Sequence, residues 1–249
     1  MRRLLLALVA LASLLAGLIA YTFSGMGEIH DGARYSSAGL LAVKDGYTTA
    51  YVVDAGPGAV VLIDAGLSTD AAPLLAALAT KGLDKSAVQA IFLTHSHADH
   101  TAGCQAFPGV PVYAMAAELP YLHGERAHGG PIPRLFGASD SGVRATPLDD
   151  GATITVGELT VTGFSVPGHT PGSAVWFARG ALYLGDSADF AADGHLLGAK
   201  WAFTDDPAVN HEALLSLRRR LAERDLKPAV LATAHSGMGA PSALAVYGR

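Results

Sequence analysis

The chain has one cysteine, Cys104, in 249 residues. A lone thiol closes no internal disulfide, and a cysteine-based zinc site needs further sulfurs or added histidines. Any metal site must therefore be built from histidine and carboxylate. Charge is also sparse: 16% of residues are charged, and the formal net charge is −5. No basic surface capable of neutralising phosphates is in sight, so no nucleic-acid partner is expected. Aromatic residues make up only 7%. No repeat of 20–50 residues occurs, and the only low-complexity tract is the apolar N-terminus. What is abundant is apolar residues, at 50%, and glycine, at 29 residues. That composition predicts a sizeable core and many tight turns, in one large α/β domain or two small ones.

The N-terminus stands apart. Arg2 and Arg3 precede an apolar run, Leu4 to Ala20, of 17 residues. The apolar part of a secretion signal is usually shorter, about 7–15 residues, and a membrane span needs about 17–25. The small-x-small pattern of a cleavage site is spoiled by Leu18-Ile19-Ala20. We therefore expect residues 1–23 to be an uncleaved membrane anchor or, as the second reading, a cleaved signal peptide. Residues 24–36 read as a linker and 37–249 as the folded domain. The two arginines should stay cytoplasmic. The domain would then be exported, held on the cytoplasmic membrane facing the periplasm or exterior, or secreted.

Within the domain, short β-like runs at Tyr51–Val53 and Val60–Ile63 flank a turn-rich Asp54–Gly58 and predict a hairpin. Asp70 to Lys81 carries Leu74, Leu75 and Leu78 at helical spacing, with Gly82 as the stop. Val88 to Leu93 reads as a buried strand and Val110 to Met115 as another, followed by a short helix over Ala116–Leu122. Gly124 to Val143 has no sustained period and reads as a long surface loop, a candidate lid. Strand patterns resume at Ile154–Val156, Leu159–Val166, Ala174–Phe177 and Ala181–Leu184. Pro207 to Arg224 reads as an amphipathic helix with Leu214, Leu217 and Leu221 on one face, and Ala229–Ala232 as a last strand. Arg218, Arg219 and Arg220 read as its solvated side. Two runs of strands with helices predict two sheets between helical layers.

The chemistry concentrates in Thr94-His95-Ser96-His97-Ala98-Asp99-His100. In extended chain, residues two apart point the same way, so His95 and His97 can hold one ion together. Asp99 and His100 fall where the chain turns into a helix, which directs them elsewhere, toward a second ion. Two ions need more ligands than one run supplies. Three candidates sit at strand ends beside glycine: His169 in Pro167-Gly168-His169-Thr170-Pro171-Gly172, Asp186 after Gly185, and His235 before Ser236-Gly237. The other histidines, His30, His123, His128, His195 and His211, show no ligand spacing and read as surface or satisfied core residues, although the loop that carries His123 and His128 could overhang the site. Cys104, Tyr121, Phe136, Phe190, Trp201 and Phe203 read as packing, although Trp201 and Phe203 follow Asp186 closely enough to line a pocket.

This pattern, His95-x-His97-x-Asp99-His100 followed by a distant His, Asp and His, resembles the metallo-β-lactamase superfamily. The resemblance runs from about Ser37 to Gly239, and Asp64-Ala65-Gly66 and the segment around His169 share in it. It implies a four-layered αββα sandwich with an N-terminal apolar helix added. It implies that His95, His97 and His169 bind one metal and Asp99, His100 and His235 another, with Asp186 bridging. It implies two zinc ions per chain, with iron or manganese as substitutes, and hydrolysis of a small-molecule substrate. Zinc-bound hydroxide would attack an ester, lactone, amide or β-lactam carbonyl, with Asp99 catalytic in orienting it and taking its proton. Ser187 after Asp186 departs toward members that leave the metals unbridged. Two other readings share the fold: an iron-dependent sulfur dioxygenase and a non-catalytic metal-binding domain. Thioesterases acting on glutathione adducts usually carry a C-terminal extension, and here 14 residues follow His235. That spacing favours small ester, lactone or amide substrates.

Overall fold

The computed structural model describes residues 2–248. Strands β1 (Arg34–Tyr35), β2 (Leu40–Asp45), β3 (Thr48–Gly56), β4 (Ala59–Ile63), β5 (Val88–Phe92), β6 (Val112–Met115) and β7 (Thr146–Leu148) form a seven-stranded sheet in that spatial order. The second sheet takes β8 (Thr153–Val156), β9 (Leu159–Ser165), β10 (Ala174–Ala178), β11 (Ala181–Gly185), β14 (Val230–Thr233) and β15 (Met238–Gly239), in the order β15-β14-β11-β10-β9-β8. A separate ribbon joins β12 (Ala188–Phe190) and β13 (Leu196–Gly198).

The inner faces meet in one core. Tyr51, Ile63 and Phe92 of the first sheet pack with Val161, Trp176 and Tyr183 of the second. The Trp176 indole donates to Leu93 O (3.1 Å) and the Tyr51 hydroxyl to Thr233 O (2.6 Å), so each sheet is also hydrogen-bonded to the other. The outer faces are covered by helices. Leu74 and Leu78 of α2 (Ala72–Thr80) seal the first sheet with Val60, Leu62 and Ile91. Leu214, Leu217 and Leu221 of α5 (Pro207–Glu223) seal the second, beside Leu244 of α6 (Ser242–Val246). Each such leucine withdrawn from water contributes about 1.5–3 kcal/mol. Asp206 caps α5 by accepting from Ala208 N and Val209 N at 3.0 Å, with Pro207 at the first turn. The result is the four-layered αββα order.

Several local expectations differ from the structure. Strand β15 follows β14, so the strand near Ala229–Ala232 is not the last. Arg220 is not solvated: it donates to Ser165 O at 2.9 Å, pairs with Asp150 and lies over the Phe164 ring at 5.2 Å. The stretch read as a linker is docked, with Gly27 N donating to Phe190 O (2.8 Å) and Gly32 N to Ala42 O (3.0 Å). The loop from 124 to 143 is likewise tied down, Asp205 accepting from Gly129 N and Gly130 N at 2.8 Å. Helix α1 (Arg2–Thr22) precedes the domain. Among the described residues no helix is long and apolar enough to cross a membrane, and the expected anchor falls partly on side chains outside the described set.

Candidate metal centre

Parallel pairing decides where the ligand candidates go. Strands β4 and β5 run parallel, and β11 and β14 run parallel. Strand β9 is antiparallel to β10 and β10 to β11, so β9 points the same way as β11. His95 follows β5, His169 follows β9, Asp186 follows β11 and His235 follows β14. Each therefore leaves a strand at its C-terminal end, where parallel sheets open their clefts. Ala174 N donates to Thr94 O (2.7 Å), which joins the two sheets at this edge. The chain then enters α3 (Ala98–Thr101), swinging Asp99 and His100 away from His95 and His97.

The structure brings all seven expected side chains into one cluster. His95 Nε2, His97 Nδ1 and His169 Nε2 form a triangle with sides of 3.0, 3.1 and 3.1 Å. A tetrahedron of nitrogens at ~2.0–2.1 Å from zinc has edges of ~3.3 Å, so this triangle nearly matches one of its faces. Asp99, His100 and His235 form a second group, and His95, His100 and Asp186 a third, each with its ligand atoms within 4.8 Å of one another. Asp186 Oδ2 lies 3.5 Å from His169 Nε2 and 3.1 Å from His235 Nε2, so one carboxylate faces both groups. His100 Nε2 and Asp186 Oδ1 are buried 3.2 Å apart, and no other group in reach satisfies either. Buried polar atoms left unpaired cost free energy unless something else satisfies them. Imidazole and carboxylate donors at these separations fit a pair of divalent cations.

The imidazoles are also oriented from behind. His100 Nδ1–H donates to Asp64 Oδ2 at 2.8 Å. The same carboxylate accepts from Thr94 N (2.7 Å) and Thr94 Oγ1 (2.8 Å). Thr94 Oγ1, having spent its proton, accepts from His95 Nδ1 at 3.1 Å. Thr204 Oγ1 donates to Lys200 O (2.7 Å) and so accepts from His169 Nδ1 (3.3 Å). Tyr47 O accepts from His235 Nδ1 at 2.8 Å. In all four rings Nδ1–H is donated to the surrounding protein and Nε2 points into the cluster, the usual arrangement behind ligating histidines. His97 is the exception, presenting Nδ1. Asp64 adopts a left-handed backbone (φ +58°), a region a short polar side chain tolerates better than most.

Electrostatics divide the cluster in two. Burial, reinforced by neighbouring histidines, holds His95 and His97 well below the ordinary imidazole range. Burial brings His169 down to about 4, against the pull of Asp186. These three rings are neutral and offer lone pairs. Burial works against protonation of His235 too, but Asp186, with lesser help from Asp189 and Asp99, lifts it to about 9. His100 rises well above its usual value because Asp99, Asp186 and Asp64 outweigh its burial. Burial opposes ionisation of Asp186, yet His235 and His100 hold it well below the carboxylate range. The second group is thus an array of opposite charges.

Two residues with a part in the site, Glu118 and Phe23, escaped the sequence reading, and a third, His128, was expected only on a loop that could overhang it. Glu118, buried after β6, accepts from Ser96 N (2.8 Å) and Ser96 Oγ (2.6 Å) with one oxygen. Its other oxygen accepts from Thr170 Oγ1 (2.7 Å) and Gly172 N (3.0 Å). It thereby clamps the loop of His95 and His97 to the loop of His169. His128, expected at the surface or in the core, packs its ring 4.4 Å from that of His97 and reaches Ser96 Oγ at 3.2 Å. Phe23, within the expected targeting segment, lies 6.3 Å from the His235 ring. His30, His195 and His211 stay outside the cluster, and His123 pairs across the loop with Asp140. Cys104 is buried, as expected. Beside the cluster opens a cavity of about 850 Å³.

Residues 43–235 match the sequence profile of the metallo-beta-lactamase superfamily. A hydroxyacylglutathione hydrolase from Salmonella paratyphi A is 32% identical over 183 residues, which cover 72% of this chain and 59% of that protein. The match thus spans well under two thirds of these curated relatives. Among solved structures, a B3 metallo-beta-lactamase with an active-site glutamic acid superposes with a TM-score of 0.64 at 22% identity, over 92% of this chain and 90% of that one. The metallo-beta-lactamase MIM-1 from Novosphingobium pentaromativorans gives 0.60 at 26% identity, over 86% and 79%.

Proposed function

The chain belongs to the metallo-beta-lactamase superfamily of metallo-hydrolases, and from that premise we propose that it binds two zinc ions and hydrolyses a carbonyl ester, thioester or lactone. His95, His97 and His169 would hold one ion, Asp99, His100 and His235 the other, and Asp186 both. The observation that carries this reading is the nitrogen triangle of 3.0–3.1 Å facing a carboxylate shared with the second group. One cation would satisfy three mutually facing imidazole nitrogens at once, as no single ring N–H donor can.

Bound zinc supplies Lewis acidity for the substrate carbonyl and lowers the pKa of water toward neutrality. The chain's own residues position everything else. Asp99 lines the cavity, with Oδ2 3.5 Å from His100 Nε2 and 3.6 Å from His235 Nε2. It is placed to orient the attacking water and accept its proton. Asp64, Thr204 and the Tyr47 carbonyl keep the three imidazoles behind it from rotating. A hydroxyacylglutathione hydrolase among the relatives favours acyl esters and thioesters over β-lactams, since the lactamase likenesses lie at lower identity.

Metal analysis of the purified chain, with turnover on a chromogenic panel of ester, thioester, lactone and β-lactam, tests the proposal. We expect two zinc ions per chain and a fall in kcat/KM of about a thousandfold or more in His169→Ala. Full turnover by metal-free protein sinks it, as does a zinc-loaded chain inert toward every substrate. Stoichiometric iron with oxygen uptake on a persulfide would replace hydrolysis by sulfur oxidation. We also propose that residues 1–23 direct export, as an anchor or as a cleaved signal. Fractionation of cells expressing the full chain checks this, and recovery in the cytosol overturns it.

A further inference from the structure

The cavity beside the candidate metal centre is polar where His97, Asp99, Asp186 and His235 converge and apolar over much of the rest. Phe23, Met26, Ile29, Ile132, Phe136 and Phe203 line that remainder. Phe23 joins the two parts, its ring 5.7 Å from that of Phe203 and 6.3 Å from that of His235. Lys44, Lys200 and Glu28 are the other charged groups along the lining. Lys200 is half-buried beside Asp189 and Asp186, and burial lowers its pKa, so it answers charges of the protein itself.

The wall built by residues 23–29 is fixed to the domain. Gly27 N donates to Phe190 O and Ala192 N to Gly25 O, both at 2.8 Å, and Met26 pairs antiparallel with Ala191. A Cβ on Gly27 would fall 2.9 Å from Ser236 O, one residue beyond His235. The stretch immediately after α1 is thus seated against the loop of a metal-ligand candidate.

From these contacts we infer that the substrate carries an extended, uncharged apolar arm next to its reacting carbonyl, an acyl or alkyl chain that lies against Phe23, Phe203 and Phe136. That the arm is joined to a carbonyl rests on the hydrolase reading above; the arm itself does not. Phe23 and Met26 then determine specificity, which requires residue 23 to stay on the mature chain, so of the two export readings this inference needs the uncleaved anchor. A cavity of about 850 Å³ is large enough for such a ligand. Each methylene withdrawn from water strengthens binding about fourfold. A charged group seated against those three rings would lose hydration that aromatic carbon does not replace.

Calorimetric titration of the full chain with butanamide, hexanamide and octanamide tests this. These probes are neutral, so the charges of the cluster do not bias them. We expect Kd to fall about fifteenfold for each two added carbons, and Phe23→Ala and Phe136→Ala each to weaken octanamide binding about tenfold. Phe136 is 80% exposed, so its variant reads the cavity without threatening the fold. A Kd that does not fall with chain length overturns the inference, as does octanamide binding unchanged in both variants. Length-dependent binding in a chain that cleaves no p-nitrophenyl ester supports the apolar arm and defeats the hydrolase reading. Equal cleavage of p-nitrophenyl acetate and octanoate, with no length dependence in amide binding, does the reverse.

Discussion

Glu118 shows how one side chain can govern a site it does not line. Its carboxylate takes four hydrogen bonds from two loops, and it is buried. Removing it leaves Ser96 N and Gly172 N without acceptors in a buried setting, at a cost of about 2–4 kcal/mol. Glu118→Ala should therefore lower stability to denaturant by that amount and weaken zinc binding, because the triangle loses the clamp between its two loops. Glu118→Gln keeps the shape and one acceptor but turns an NH2 toward two donors, so it should recover only part of the zinc affinity. Equal zinc affinity in wild type and the alanine variant would reduce Glu118 to a purely structural role. None of this shows in the sequence, where Ala-Ala-Glu-Leu reads only as the start of a helix. The seven clustered residues were legible because each carries a local sign: close spacing in the run 95–100, or a flanking glycine. Glu118 and His128 carry no such sign; their partners lie 22 and 32 residues away. Phe23 was hidden by its neighbours, since an aromatic residue after an apolar run reads as part of that run.

At the scale of the element, strand ends matter more than strand interiors. Gly185 closes β11 with φ +52°, and an added Cβ would come 2.5 Å from Thr94 Oγ1. Thr94 is the hydroxyl that connects Asp64 to His95, and Asp186 follows at once. Gly185→Ala should therefore cost about 1–3 kcal/mol through backbone strain and displacement of Thr94. Zinc affinity should fall with it, most clearly at the ion shared through Asp186. Stability measured together with zinc titration checks both; unchanged affinity would show that Thr94 can yield without moving the ligands. The hairpins and α5 were legible because period and turn residues agreed there. Strand β2, Leu40–Asp45, was not: five of its six residues are buried, so the alternation that identifies a half-buried strand is missing. β1 and β15 have two residues each, too short for any period.

At the scale of the molecule, the two sheets each contribute about half of the site. His95, His97, Asp99 and His100 follow the first sheet's β5, while His169, Asp186 and His235 leave the second. The layered order was legible from strands and helices falling into two runs; the docking of residues 24–36 was not, because polar, glycine-rich chain looks the same whether free or seated. Since neither half holds a complete set of ligands, bound metal ties the sheets together across the edge of the core. The unfolded chain offers only the short run 95–100 as a chelate, so metal must favour the folded state strongly. With free zinc at about 100–1,000 times its Kd, the stabilisation is about 3–4 kcal/mol. For a chain of this size that corresponds to a rise in Tm of about 5–15 °C. Stripping with a chelator should lower Tm by this amount, and adding zinc back should restore it. His235→Ala should abolish only part of the shift and His169→Ala more, because the first group has three neutral imidazoles ready to bind while the second must first give up the protons of His100 and His235. A Tm indifferent to chelation would mean that the two halves are held by the core alone and that the cluster does not bind metal across them.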